Sequence, residues 1–222
     1  MSCVVIGATG GIGAALADVL DASGRPAVRL GRSTRPPLDL LDERTIEAAA
    51  FFAGTGLELV IDATGFLHAP GMIPEKRLSE IDPAHLAHSF AVNATGPALL
   101  IKHFLPRLAR GRRAVFATLS ARVGSISDNR TGGWYAYRAS KAALNQLVRS
   151  AAIELARTHP LAACVAVHPG TVASKLSQPF AKTGLDVRTP GEAALRLVAV
   201  LDGVEPGRSG LLIGYDGAVL PF

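Results

Sequence analysis

The chain has 222 residues, of which 49% are hydrophobic and 18% are charged, with 23 Lys and Arg against 18 Asp and Glu. These proportions exclude a disordered chain, and no stretch approaches the ~20 consecutive apolar residues that a membrane span needs. The net charge of +5 does not indicate nucleic-acid binding, because the basic residues are scattered and only 5% of residues are aromatic.

The opening residues lack the basic segment and the long apolar segment of a secretory signal. Both cysteines, Cys3 and Cys164, lie in apolar runs, where a thiol packs as a small hydrophobic group. We therefore expect a cytoplasmic protein that has no membrane partner.

Short apolar runs alternate along the chain with longer segments of helical period. Strands are predicted at residues 2–6, 27–30, 36–40, 57–62, 113–119, 162–168 and 211–213. Helices are predicted at residues 11–22, 43–53, 83–109, 135–157 and 190–201, with Pro97 and Pro106 bending or interrupting the third. This alternation predicts an α/β fold, a single doubly wound domain over residues 1–222 with about seven parallel strands and helices on both faces. Two long loops, residues 66–82 and 170–189, follow strand ends, where such sheets bind ligands.

A glycine-rich turn joins the first predicted strand to the first helix. Its spacing is GxxxGxG at Gly7, Gly11 and Gly13, and it also fits GxxGxxG through Gly10. Without side chains, the backbone can approach a pyrophosphate, whose charge meets the N–H groups of a helix N-terminus. The turn predicts a Rossmann-type dinucleotide site, although the glycines alone do not distinguish between related dinucleotide folds.

The end of the second strand predicts which dinucleotide binds. A carboxylate there would bind the ribose hydroxyls of NAD, but this chain has Gly31, Arg32 and Ser33. A small residue followed by a guanidinium leaves room for a 2′-phosphate and can bind it with two hydrogen bonds, which favours NADP(H) over NAD(H). Asp39 or Asp42 is in reach of the adenine, and either is equally suited to cap the helix that begins at residue 43.

The second candidate motif is a Tyr–Lys pair. Tyr137 and Lys141 are four residues apart and share a helix face. A free phenol has a pKa of about 10, too high for efficient acid–base catalysis near neutrality. An ammonium group about 4 Å away contributes about 4 kcal/mol at an effective dielectric of about 20, enough to lower that pKa by about three units.

Together, these motifs resemble the short-chain dehydrogenase/reductase family, and the resemblance covers essentially the whole chain. The matching segments are, in order, residues 6–13, with Ile6 where the family has Thr; residues 62–65; Asn93; the pair Tyr137 and Lys141; and residues 169–172. Residues 133–145 and 215–217 look most like the C-factor-like and sniffer-like carbonyl reductase branch. The resemblance implies a homodimer or homotetramer assembled through the two long helices.

The resemblance also implies roles for individual residues. Tyr137 would protonate a carbonyl oxygen as hydride arrives, Lys141 would bind the nicotinamide ribose and lower the Tyr pKa, and Asn93 would link Lys141 to solvent through water. The implied cofactor-binding residues are Gly7, Thr9, Gly10, Gly11, Ile12, Gly13, Gly31, Arg32, Ser33, Asp62, Ala63, Thr64, Gly65, Asn93, Tyr137, Lys141, Pro169, Gly170, Thr171 and Val172.

The chain departs from the family pattern at the catalytic serine. The family serine lies three residues before a glycine, and this chain has Ala121 at that position before Gly124. Ser120 lies one residue early, and a one-residue step along a strand reverses the direction of the side chain. Ser120 can replace the family serine only if a bulge turns its side chain inward, and Ser125 is a weaker substitute. Losing one such donor typically raises the barrier by about 2.7–4 kcal/mol.

The sequence therefore predicts an NADP(H)-dependent oxidoreductase acting on a small, apolar aldehyde or ketone, or on the corresponding alcohol, with Trp134 and Phe180 as walls of the pocket. An NADP(H)-binding sensing or signalling protein with weak catalysis is an alternative that Ala121 favours. A sugar-nucleotide epimerase or dehydratase is a second alternative, which the length of the chain disfavours. No metal site is predicted, since His85 and His88 have no third ligand nearby.

Overall fold

The computed structural model describes residues 2–174 and 187–222. The strands are β1 (Cys3–Ile6), β2 (Ala27–Leu30), β3 (Leu59–Asp62), β4 (Ala114–Leu119), β5 (Ala162–His168), β6 (Thr171–Val172), β7 (Val187–Arg188), β8 (Leu212–Gly214) and β9 (Val219–Leu220). The α-helices are α1 (Gly11–Ala22), α2 (Glu43–Ala53), α3 (Pro83–Phe90), α4 (Gly96–Phe104), α5 (Tyr135–Thr158) and α6 (Pro190–Asp202). No helix in these two ranges is long and apolar enough to cross a bilayer.

The main sheet has seven strands in the order β2-β1-β3-β4-β5-β8-β9. All neighbouring pairs are parallel except β8 and β9, which are antiparallel. The predicted α/β doubly wound fold is thereby confirmed. Since β1 lies between β2 and β3, the chain reverses its direction of winding there, and the crevice at the carboxyl ends of these strands is the expected ligand site.

Two details of the predicted sheet were wrong. Residues 36–40 form no sheet strand and contribute only a bridge between Gly31 and Pro37. The reason is that Pro36 and Pro37 have no N–H to donate to a ladder. The seventh strand is instead β9, which turns back on β8 through Gly217, a residue with φ of +80°.

The sheet packs a hydrophobic core on each face. Along β1, Val4 and Ile6 face the core under α2, α4 and α5, whereas Cys3 and Val5 face the core under α1 and α6. This alternation follows from the two-residue period of a strand, and a sheet buried on both faces needs apolar residues at every position. The helices on both faces hold the strand ends in place around the crevice.

The predicted helix over residues 83–109 is interrupted, as its prolines require. A π-helical turn (Ala91–Thr95) separates α3 from α4, and a 3₁₀ turn (Leu105–Arg107) follows α4. Pro97 has no N–H to bond to the carbonyl of Asn93, so the regular α-helical bonding cannot continue through this turn. The π turn carries Asn93 towards the carboxyl end of β3.

Candidate active site

Two cavities open at the carboxyl ends of the strands. The first, which we term the glycine-loop cavity, has a volume of about 300 Å³. It is lined by the segments that follow β1, β2 and β3, including Thr9, Gly31, Arg32, Thr64 and Gly65. The second, the Tyr137 cavity, has a volume of about 260 Å³ and is lined by Tyr137 and by the segments that follow β4 and β5. The two cavities place most of the predicted site residues along one edge of the sheet.

The glycine loop is shaped by contacts that side chains would prevent. Gly7 has φ of +78°, and a Cβ on Gly13 would lie 2.2 Å from the Gly7 carbonyl oxygen. Helix α1 begins after Gly10, with no side-chain cap and no acidic residue in its first turn. The first N–H groups of a helix have no partner within it, so this end favours an anionic ligand. The loop therefore fits the pyrophosphate of a dinucleotide.

Arg32 lines the glycine-loop cavity and is exposed, and within residues 2–174 and 187–222 no hydrogen bond or ion pair engages its side chain. Its guanidinium is thus available to an anionic group of a ligand. Ser33 is exposed but does not line the cavity. The structure also shows which role each of the two aspartates has. Asp42 caps α2 by accepting from Arg44 N at 3.1 Å, whereas Asp39 lines the cavity.

The leucine wall of the glycine-loop cavity, formed by Leu38, Leu40 and Leu41, is not predicted from the sequence. The signal that could have indicated it is the leucine-rich segment after Pro37, where the sequence predicts a strand. Phe66 and His88 also line this cavity. Their rings meet edge to face, with centroids 4.5 Å apart.

The Tyr137 cavity has mostly apolar walls. Its lining includes Ile12, Leu67, Ala121, Val123, Trp134 and Val172. The Trp134 and Tyr137 rings meet at 70° with centroids 6.1 Å apart, so Trp134 borders the phenol as predicted for a wall residue. Phe180, the other predicted wall residue, lies outside the described residues.

Lys141 is buried one turn along α5 from Tyr137. Its ammonium donates to the carbonyl oxygen of Leu119 at 2.8 Å. Burial lowers the pKa of Lys141 to about 8, and the charge of Asp62 opposes this shift. A Cβ on Gly65 would lie 3.8 Å from the Lys141 Nζ. Because Gly65 lines the glycine-loop cavity, the ammonium lies close to that cavity.

The structure gives a different pKa for Tyr137 from the one expected. Burial raises the pKa of Tyr137 to about 12. Lys141 makes no contribution that opposes this rise, so the lowering expected from their spacing on the helix is not found. At neutral pH the phenol is therefore protonated and able to donate.

Asp62 supports the site from behind. It is fully buried at the end of β3 and accepts from Thr118 Oγ1 at 2.7 Å, from Thr64 Oγ1 at 2.6 Å and from Thr64 N at 3.0 Å. Burial raises its pKa, while these hydrogen bonds and Lys141 act in the opposite direction. Of the predicted segment 62–65, the last three residues line the cavity, and the Asp62 carboxylate shapes the turn that holds Thr64.

Asn93 ties the loop after β3 to α5. Its amide oxygen accepts from Phe66 N at 2.8 Å, and its amide nitrogen donates to Phe66 O at 2.8 Å and to Ser140 Oγ at 3.1 Å. A Cβ on Gly65 would lie 3.8 Å from the Asn93 Oδ1, the same distance as from the Lys141 Nζ. Asn93 and Lys141 are thus brought together beside Gly65.

The structure shows where Ser120, Ala121 and Ser125 lie and what they bind. The Ser120 hydroxyl donates to Asn145 Oδ1 at 2.7 Å, and Ser120 is 4% exposed at the edge of the Tyr137 cavity. Ala121 is in extended backbone, lines the same cavity and carries no polar group. Ser125 is buried and accepts from Asp128 N. The hydroxyl proton of Ser120 is therefore bonded to another partner.

Residues 169–172 border the Tyr137 cavity, as the resemblance implied. The preceding residue, His168, lines the cavity too. Burial lowers the pKa of His168 to about 4, with Arg122 acting in the same direction, so its imidazole is neutral at physiological pH. Among the described residues, no cluster of three or more His, Cys, Asp and Glu side chains has an arrangement suited to a metal ion.

Comparisons with known proteins agree with this geometry. A family model described as short chain dehydrogenase matches residues 2–184. The C-signal protein of Myxococcus xanthus is 36% identical over 146 residues, which are 65% of this chain and 83% of that protein. The 1-hydroxy-2-glutathionyl-2-methyl-3-butene dehydrogenase of Rhodococcus sp. (strain AD45) is 30% identical over 193 residues, covering 86% of this chain and 81% of that protein. The NADPH-bound carbonyl reductase from chicken fatty liver superposes with a TM-score of 0.85 and 26% identity, over 100% of this chain and 98% of that one.

Proposed function

The chain belongs to the short-chain dehydrogenase family, and on that premise we propose that it is an NADPH-dependent reductase of small, apolar aldehydes or ketones. The observation that carries the proposal is the position of Tyr137 and Lys141. Tyr137 borders an apolar cavity, and Lys141 lies beside Gly65 in the wall of the adjoining glycine-loop cavity. A proton donor and a dinucleotide would thus meet at the junction of the two cavities.

The choice of NADPH rests on Arg32. An exposed guanidinium beside the glycine-loop cavity is suited to a 2′-phosphate, and Gly31 before it is buried against Thr9, where a Cβ would lie 3.1 Å from the threonine hydroxyl. The NADPH-bound state of the chicken carbonyl reductase supports the same cofactor. Gly7, Gly10 and the first turn of α1 would hold the pyrophosphate.

In the proposed reaction the protein's own groups bind, orient and protonate the substrate. The hydride for the new C–H bond would come from NADPH when it is bound, leaving NADP⁺. The Tyr137 hydroxyl donates its proton to the carbonyl oxygen, so that the C=O double bond becomes a C–OH single bond. With NADPH bound, Lys141 would be the residue that binds the nicotinamide ribose, as the family resemblance implies. Because burial raises the pKa of Tyr137 to about 12, the phenol carries the proton to be donated at neutral pH.

The apolar walls and volume of the Tyr137 cavity define the substrate class. A cavity of about 260 Å³ bordered by Leu67, Trp134 and Val172 favours a small apolar carbonyl compound over a charged one. The experiment is NADPH oxidation by the purified protein with a panel of small aldehydes and ketones, with Tyr137→Phe and Tyr135→Phe run alongside. Tyr135 is the matched control because it lies on the same helix but does not line the cavity. Turnover that survives Tyr137→Phe, or is lost equally in Tyr135→Phe, would refute the proposal.

A second candidate function is NADP(H)-dependent sensing or signalling with weak catalysis. It is favoured by Ala121, which occupies the cavity wall where a polarising hydroxyl would lie, and by the similarity to the C-signal protein. The same experiment separates the two functions. NADPH binding without reduction of any substrate in the panel would favour this candidate.

We also propose that the chain forms a homodimer or homotetramer through α4 and α5. A groove of about 480 Å³ runs between these helices and is lined by Ile101, Leu105, Ala151 and Leu155 among others. Light scattering after gel filtration tests this proposal, and a monomer at assay concentration would refute it.

A further inference from the structure

The helix that carries Tyr137 begins without a cap of its own. The residue before α5 is Trp134, which has left-handed backbone with φ of 52° and gives no side-chain cap. An indole donates hydrogen bonds but does not accept them, so it cannot satisfy the first N–H groups of the helix. Tyr137 is the third residue of α5 and lies within this uncapped first turn.

The missing cap is supplied by Glu75, about 60 positions earlier in the chain. Its backbone carbonyl accepts from Trp134 N, and its carboxylate oxygen Oε2 accepts from Ala136 N at 3.2 Å. A Cβ on Gly133, which has φ of +65°, would lie 3.2 Å from the same Glu75 carbonyl. Glu75 therefore binds the start of α5 with both its main chain and its side chain.

Glu75 is 2% exposed, which is unusual for a carboxylate. Its other oxygen, Oε1, lies 3.4 Å from Nδ1 of His85, which is also buried, on α3. Neither that oxygen nor His85 Nε2 has a hydrogen-bond partner within residues 2–174 and 187–222. A buried carboxylate with one incompletely satisfied oxygen destabilises a fold, so its placement against a helix N-terminus indicates a specific role.

We propose that Glu75 is a positioning residue for Tyr137, acting as an N-cap of α5 supplied from outside the helix. The proposal rests on the proposed function. The bond from Ala136 N fixes the first turn one residue before Tyr137, and so fixes the direction of the phenol in its cavity. His85 lies behind the carboxylate, and its ring lies edge-on to Phe66 with centroids 6.0 Å apart. Since Asn93 binds the backbone of Phe66, the cap and the glycine-loop cavity share one support.

Two conservative substitutions of Glu75 distinguish the effect of side-chain length from the effect of charge. Glu75→Gln keeps the length of the side chain and an oxygen that can accept from Ala136, whereas Glu75→Asp keeps the charge but is one methylene too short. We expect Glu75→Asp to lower kcat about tenfold with the KM for NADPH changed less than about threefold, because the phenol is displaced while the cofactor site is intact. We expect Glu75→Gln to stay within about threefold of the wild-type kcat.

Glu80→Gln is the matched control. Glu80 is an exposed carboxylate in the same segment that accepts hydrogen bonds from Lys76 and Arg77 and not from α5. The kcat of Glu80→Gln should therefore equal that of the wild type. Normal turnover by Glu75→Asp would overturn the proposal. It would also be overturned by a loss in Glu75→Gln as large as that in Glu75→Asp, or by an equal loss in Glu80→Gln.

A spectroscopic measurement tests the cap without any turnover. Trp134 is the single tryptophan of the chain and lies directly at the capped turn. We expect acrylamide to quench its fluorescence more strongly in Glu75→Asp than in the wild type, and equally in Glu75→Gln and the wild type. Unchanged quenching in folded Glu75→Asp would refute the cap. Absence of NADPH-dependent turnover in the wild type would refute only the proposed function.

Discussion

Replacement of Lys141 by methionine should change how stability depends on pH. Lys141 is 3% exposed, and burial lowers its pKa from the ordinary 10.5 to about 8. Between these two values the unfolded chain binds a proton that the folded chain has released, so the stability of the wild-type protein rises with pH across this range. At pH 7 Lys141 is protonated in both the folded and the unfolded chain. Relative to a neutral amine, the buried ammonium destabilises the fold by (10.5 − 8) × 1.36, or roughly 3 kcal/mol.

Methionine has a similar length and no charge, so the variant lacks this pH-dependent contribution. It also leaves the Leu119 carbonyl without the hydrogen bond from Nζ, which removes about 1–3 kcal/mol at every pH. The informative quantity is therefore the difference in free energy of unfolding between variant and wild type, compared at two pH values. From the pKa of about 8, we expect the free energy of unfolding of Lys141→Met, taken relative to that of the wild type, to fall by about 2 kcal/mol between pH 7 and pH 9.5.

Urea denaturation at pH 7 and pH 9.5, followed by far-ultraviolet circular dichroism, measures this difference. Lys76→Met is the control, because Lys76 is exposed and its removal should give the same difference at both pH values. A difference between Lys141→Met and wild type that does not change with pH would refute the reasoning, because it would mean that burial does not shift the Lys141 pKa.

Three further predictions concern the two cavities. Arg32→Ala should weaken NADPH binding about tenfold and leave NADH binding unchanged in fluorescence titrations, with the exposed Arg35→Ala as control; equal losses for both cofactors would contradict the 2′-phosphate role. Ala121→Ser should raise kcat for carbonyl reduction at least about tenfold, since it adds a donor to the wall of the Tyr137 cavity; no gain would show that Ser120 already serves despite its bond to Asn145. Gly13→Ala should abolish NADPH binding, because its Cβ would lie 2.2 Å from the Gly7 carbonyl, whereas Gly191→Ala, which meets nothing within 4 Å, should bind normally.

The parts of the site that lie in one continuous segment were predictable. The glycine loop depends on backbone geometry that only glycine permits, and the Tyr137–Lys141 pair depends on the period of a single helix. The position of Arg32 at the cavity follows in the same way, because it lies directly after β2. In each case, neighbours in sequence determine the geometry.

The environment of each group was not predictable in this way. The distance from Lys141 to Tyr137 along the helix predicted a lowered phenol pKa, but the ammonium binds the carbonyl of Leu119 from another element. Burial in the cavity then raises the pKa of Tyr137 to about 12. Electrostatic effects depend on solvent exposure and on partners from distant segments, and a sequence pattern shows neither of these.

The amino-acid sequence by itself determined the α/β alternation, the doubly wound class and the interruption of the helix at Pro97. It also determined the glycine loop and the Tyr137–Lys141 pair. These follow from local periodicity and from the covalent limits of glycine and proline. Only the tertiary structure decided that Glu75 caps α5, that Ser120 binds Asn145, and that β9 and not residues 36–40 completes the sheet. Each of these depends on which segments become neighbours in space, and that is set by packing over the whole chain.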